Sequence, residues 1–135
     1  MTEQEDRLFI NPHLIVLEIP EKGLGVFTET EIAENEVVEV SPVLIMPPES
    51  RALLDQTMLH DYIFEWGWES QQCCVAWGYV SLYNHSYTAN CEHFMDFDNN
   101  IIMIKTVRAV HAGEELTINY NGTWDNTKPV WFEAK

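Results

Sequence analysis

Positive charge is what this sequence has least of: seven lysines and arginines face 22 aspartates and glutamates, leaving a net charge of -15 over 135 residues. A field of that sign repels phosphate backbones and anionic membranes, which argues against nucleic acid or a membrane as direct partner. It draws basic peptides instead, although simple solubility would explain the same balance. Cysteine is also scarce. Cys73, Cys74 and Cys91 are odd in number and lack the paired short spacings of a zinc site, so a reduced compartment is expected and no metal. No apolar run approaches the roughly 20 residues of a membrane span, and Met1 to Arg7 is acidic where a signal peptide would be basic and then apolar. An intracellular protein, cytoplasmic or nuclear, fits these absences. Linkers, repeats and low-complexity runs are missing too, and the length suits one domain over residues 1–135.

The chain nonetheless carries 46% hydrophobic and 12% aromatic residues, more than a disordered acidic chain would. Short β-branched runs dominate it. Leu14 to Ile19 reads as a strand, and Gly23-Leu24-Gly25 supplies a turn before a second strand at Val26-Phe27-Thr28. Val37 to Val40 and Val43 to Met46 read as strands separated by Ser41-Pro42, where proline forbids continuous central pairing. Glu49 to Leu59 is expected to form one short helix. Further on, Tyr62, Phe64 and Trp66 alternate as in a strand with one aromatic face. Late strands are expected at Ile101 to Ile104, after the turn signal Asp98-Asn99-Asn100, and at Leu116 to Ile118, after His111-Ala112-Gly113. The expected architecture is mostly β.

Polar groups cluster at Asn84-His85-Ser86 and Asn90-Cys91, directly after the apolar Val80-Ser81-Leu82-Tyr83. An asparagine amide can meet a carboxylate, an ammonium or a backbone group, and backbone beside a histidine can read an adenine edge. On composition alone, an Asn/Ser turn beside a core histidine explains the segment as well. Its order, however, resembles the N-H-S-x-x-P-N-C signature of SET-domain lysine methyltransferases across Asn84 to Cys91. Gly113-Glu114-Glu115-Leu116-Thr117-Ile118-Asn119-Tyr120 is similar to that family's G-E-E-L-T-x-D-Y signature, and Gly23-Leu24-Gly25 looks like its opening G-x-G segment. The likeness extends over about Leu14 to Trp124, with residues 125–135 left as an aromatic C-terminal tail.

The resemblance implies a SET-like fold of several small sheets, with a knot-like crossing where the asparagine-histidine and late tyrosine segments meet. It implies S-adenosyl-L-methionine as cofactor, held by Gly23, Leu24, Gly25, Asn84 and His85, with Trp124 as a lid or else packed outside. It implies that Tyr120 is catalytic and that Tyr62 and Ile118 line a channel for the substrate lysine, with core packing an equal alternative for Tyr62. The partner would be a basic, lysine-containing protein such as a histone-like one. A homodimer could complete the substrate groove.

Chemistry supports a tyrosine in that role. Methyl transfer from a sulfonium to an amine is an in-line displacement limited by alignment and by the protonation of a lysine that titrates near about 10.4 when free. An apolar aromatic channel disfavours the cation, and a phenol can orient the reacting groups. Three departures stand against this: Ala89 replaces a proline, Asn119 replaces an aspartate, and Ile118 occupies a position where many family members carry Phe or Tyr. The cysteine-rich zinc segment that often follows is missing as well. The alternative reading is a catalytically silent SET-like peptide-binding module.

Overall fold

The computed structural model describes residues 7–69 and 71–120. The described residues form ten strands: β1 (Phe9–Ile10), β2 (Leu14–Ile19), β3 (Gly23–Thr28), β4 (Val37–Met46), β5 (Phe64–Trp66), β6 (Gln72–Ala76), β7 (Asn84–His85), β8 (Cys91–Asp96), β9 (Ile101–Thr106) and β10 (Glu115–Ile118). Between β4 and β5 lie one α-helix, α1 (Pro48–Leu54), and a 3-10 helix at Met58–Tyr62; a second 3-10 turn covers Val80–Leu82. The strands form two sheets, one in the order β5-β6-β4-β9-β8 with β1 added on β4, the other in the order β2-β3-β10-β7.

The hub of the larger sheet is β4, and it runs straight through Pro42 as one strand. Two separate strands were expected from the proline, and the difference has a simple cause. Residues up to Pro42 pair with β9, whereas Val43 to Met46 pair with β6, so the missing N–H falls where the strand changes partners. The expected helix is shorter than its composition suggests. It stops at Leu54, and Thr57 then begins the 3-10 helix, its hydroxyl donating to the Leu54 carbonyl and accepting from the Leu59 amide. That helix carries Tyr62, which therefore lies outside the strand that holds Phe64 and Trp66.

The apolar core lies where the sheets meet. One buried cluster takes Val26, Leu116 and Ile118 from the smaller sheet and Val38, Trp66, Cys74, Ile102 and Ile104 from the larger. Each such side chain contributes about 1.5–3 kcal/mol by leaving water. Strand alternation delivers them, since Ile102, Ile104 and Thr106 of β9 and Leu116 and Ile118 of β10 all face inward. Cys73, Cys74 and Cys91 are free and buried. Among the described residues, no helix is long and apolar enough to cross a membrane.

Candidate active site

Four parts of the chain converge beside the smaller sheet. The glycine turn enters β3, Met58–Tyr62 approaches from the larger sheet's connection, β7 carries Asn84 and His85, and the segment after β10 carries Tyr120. The decisive pairing is β7 with β10, which is parallel and places Thr117 opposite Asn84 and Ile118 opposite His85. It is extended by the Ser86 amide, which donates to the Ile118 carbonyl at 3.0 Å. Asn90 pins the other end of the segment. Its buried Oδ1 accepts from the Thr117 amide at 2.9 Å, and its Nδ2 donates to the Glu115 carbonyl at 2.8 Å. The two sequence signatures are thus bound to each other by backbone and by asparagine.

The Asn84 amide group points to the glycine turn, donating to the Leu24 carbonyl at 3.1 Å and to Glu115 Oε2 at 2.8 Å. Gly25 makes this approach possible. A Cβ there would stand 2.8 Å from Glu115 Oε2 and 3.0 Å from Asn84 Nδ2, closer than side chains pack. Gly23 serves a different need, since its φ of +92° lies in the left-handed region that favours glycine.

His85 is buried, and its Nδ1 accepts from the Tyr120 amide at 3.1 Å, which assigns the ring proton to Nε2. Burial also holds its pKa below the ordinary value, so the ring acts as a neutral acceptor. Tyr87 meets that ring edge-on at 4.4 Å, and Tyr120 lies against it at 5.2 Å.

The Tyr120 hydroxyl donates to the Tyr83 carbonyl at 2.8 Å. Burial, reinforced by the negative fields of Tyr62, Asp61 and Glu115, pushes the phenol up to about 12. Tyr120 therefore stays protonated at neutral pH, with its proton directed at a backbone carbonyl and its oxygen left to accept. It can orient a neighbour but cannot serve as the base.

A cavity of about 310 Å³ opens among these groups, lined by Lys22, Leu24, Asp61, Tyr62, Ser81, Leu82, Asn84 and Tyr120. Of the residues expected at the site, Leu24, Asn84, Tyr62 and Tyr120 stand on its wall. Gly23, Gly25 and His85 are not among its lining residues. Ile118, expected along the channel, is fully buried in the core and does not line this cavity, because the alternation of β10 turns it inward with Leu116. Trp124 lies outside the described residues.

Sequence reasoning missed Lys22, Asp61 and Ser81 as wall residues, and Glu115 as the partner of Asn84. Their signals were present but weak: Lys22 and Asp61 adjoin residues already singled out, Glu115 sits within the second signature, and Ser81 precedes the first. Ser81 has an evident purpose, since its hydroxyl donates to the Tyr62 carbonyl at 2.8 Å and fastens the 3-10 helix to the site. Among the described residues, no group of three His, Cys, Asp or Glu is placed to hold a metal ion.

A family model of the SET domain matches residues 23–121, from the glycine turn to just beyond Tyr120. The chain belongs to the SET-domain family. A histone-lysine N-methyltransferase of Schizosaccharomyces pombe, specific for H3 lysine-37, is 33% identical over 125 residues, covering 92% of this chain and 80% of that protein. A solved structure of a candidate histone methyltransferase from Plasmodium falciparum superposes with a TM-score of 0.63 at 26% identity, covering 85% of this chain and 98% of that one. The SET assignment agrees with the mostly-β architecture of small sheets and a single α-helix.

Proposed function

We propose that this SET-domain protein is a protein-lysine N-methyltransferase that uses S-adenosyl-L-methionine and acts on a basic, histone-like protein inside the cell. The observation that carries the reading is the cavity in which the Asn84 amide and the Tyr120 phenol share one wall with the Leu24 turn. The residues present fit the cofactor. Its amino-acid end bears an ammonium and a carboxylate, and this chain offers acceptors in the Leu24 carbonyl and Glu115, both held in place by the Asn84 amide, and a donor in Lys22. The glycine turn lets a ligand approach backbone closely, since Gly23 and Gly25 present no side chain.

When bound, the cofactor supplies a methyl group on a positively charged sulfur. This chain's own residues do the rest. Tyr120 keeps its proton on the Tyr83 carbonyl, so its oxygen accepts from polarised C–H groups or from the incoming amine. Its pKa near 12 excludes it from taking the lysine proton. The amine must arrive neutral, aided by the hydrophobic and aromatic faces of Leu24, Leu82 and Tyr62, which disfavour the cation. Asp61 on the same wall complements the positive charge of a lysine still in solvent.

A basic substrate is supported by the net charge of -15 and by kinship with the fission-yeast enzyme, whose substrate is a histone lysine. The whole chain is read as one catalytic domain. The test is a mass-resolved methylation assay on a basic protein mixture containing histones. Mass gains in steps of one methyl group on lysine are expected, and cofactor binding without any transfer would sink the reading.

A further inference from the structure

Behind the site, and not part of its wall, lies a carboxylate with no solvent access. Glu39 sits in the middle of β4, fully buried, with Ile10 of β1 and Ile104 of β9 as its strand neighbours. An uncompensated carboxylate at such a place is strongly unfavourable, so its partners show what it holds.

Those partners are all in one segment. Three consecutive amides dock on β4: Trp77 donates to the Pro42 carbonyl at 3.2 Å, Gly78 to Ser41 Oγ at 2.9 Å, and Tyr79 to Glu39 Oε2 at 2.7 Å. The fit at Gly78 is tight, for a Cβ there would lie 2.1 Å from Glu39 Oε2. The other carboxylate oxygen accepts from the Tyr83 hydroxyl at 2.9 Å. Tyr83 is itself fully buried. Glu39 therefore grips both ends of the turn that runs from Gly78 to Tyr83, one end by backbone and the other by side chain.

The next residue after this turn is Asn84, and the carbonyl of Tyr83 is the one that receives the Tyr120 hydroxyl. We propose that Glu39 is a positioning residue for methyl transfer: through the Tyr83 ring it fixes the carbonyl that orients Tyr120 and the start of the strand that carries Asn84 and His85. It touches neither substrate nor cofactor. Its action runs from the carboxylate to the Tyr83 hydroxyl, along that residue to its carbonyl, and on to the Tyr120 hydroxyl.

The environment makes the link observable. Desolvation raises Glu39 to about 7 despite the hydrogen bonds from Tyr83, Tyr79 and the Val80 amide. The ionisable groups that face this pair are Tyr79 and, from β8, Cys91, whose thiol burial pushes up to about 12. Tyr83 itself is raised well above the usual phenol range, by burial first and then by Glu39.

The experiment labels tyrosine at 13Cζ and follows the Tyr83 and Tyr120 signals by NMR across pH, in the wild type and in Glu39→Gln. Both signals are expected to move together with one midpoint near 7, and both are expected to lose that transition in the variant. A Tyr120 signal that ignores Glu39→Gln overturns the proposal, as does one that stays flat while Tyr83 titrates.

Kinetics give the second readout. Glu39→Gln and Tyr83→Phe are each expected to lower kcat about tenfold while KM for the cofactor moves by no more than about twofold, and the double variant is expected to be no worse than the worse single. Unchanged kcat in both single variants overturns the proposal. If Glu39→Gln fails to fold, Tyr83→Phe, which removes one hydroxyl, carries the kinetic readout and the Tyr120 signal, which is expected to lose its transition. The kinetic arm rests on the methyltransferase reading, but the NMR arm does not. A wild type that transfers no methyl group would refute that reading and leave the Glu39 link to be decided by the Tyr120 signal.

Discussion

The two sheets of this SET domain are built on opposite terms. The larger is made of antiparallel ladders, such as that of β8 and β9, which pair at six successive positions around the Asp98-Asn99-Asn100 turn. The smaller gathers pieces from distant parts of the chain, and its critical pair, β7 with β10, is parallel and only two residues long. Backbone ladders, up to six positions long, do most of the work of holding the first together. In the second, side chains do much of that work, with Asn84 and Asn90 each spanning to the β10 segment. The proposed chemistry is placed where the sheet is weakest as a ladder and most dependent on single residues.

The strongest attempt to break this contrast is Tyr120→Phe. The hydroxyl serves the proposed reaction and donates to the Tyr83 carbonyl, so methyl transfer should fall about a thousandfold while the melting temperature hardly moves. Equal losses in activity and in stability would mean that the site has no function separable from the fold.

Next in size is an effect of pH on the larger sheet, through Glu39. Its folded pKa of about 7 lies above the ordinary 4.5, so the folded state holds a proton that the unfolded state has released between those values. Stability therefore falls as pH rises through that window, by about 3 kcal/mol in all. Urea unfolding at pH 5 and pH 8 should show the decline in the wild type, and Glu39→Gln should flatten it. A stability that rises with pH in the wild type but not in the variant would contradict the assignment.

Asn90→Ala tests whether side chains hold the smaller sheet. It removes two backbone contacts in a buried setting and should cost about 2 kcal/mol of stability, measured by the same unfolding curves. Smaller again is Gly25→Ala. The new methyl group meets the half-buried Ile19 side chain, then Glu115 and Asn84, none of them in the buried core cluster, so the expected result is about tenfold weaker cofactor binding by calorimetry with little loss of stability. If Gly25→Ala weakened the fold more than Asn90→Ala, the glycine turn would be structural first.

Much of the larger sheet could be read from sequence because its strands advertise themselves locally. Ile101 to Ile104 after a turn of Asp and Asn is such a case, and in the smaller sheet β2, before the glycine turn, is another. The proline in β4 misled because a missing amide ends pairing at one edge position, and the strand simply takes a new partner there. The two signatures named Asn84, His85 and Tyr120, which the structure brings together. The site was not legible where the third dimension decides. No local pattern places Tyr62 beside Tyr120, and no signature shows that Thr57 restarts a helix to bring it there. Ile118 is the instructive case: its place in the signature suggested the channel, whereas the period-two alternation of β10, also visible in the sequence, turns it to the core.

The parallel pairing of β7 with β10 also sets an order of events in time. A parallel pair has no hairpin to close it, and here the residues between the partners include the whole of β8 and β9. Loop closure over such a distance is slow and goes unrewarded until packing is already in place. The hairpin of β8 and β9 can therefore zip first and shorten that loop, and β7 gains its parallel partner only once Glu115 to Ile118 arrive. The pocket shared by Asn84 and Tyr120 thus waits on that pairing, and a chain that lacks it has not yet brought the two side chains together.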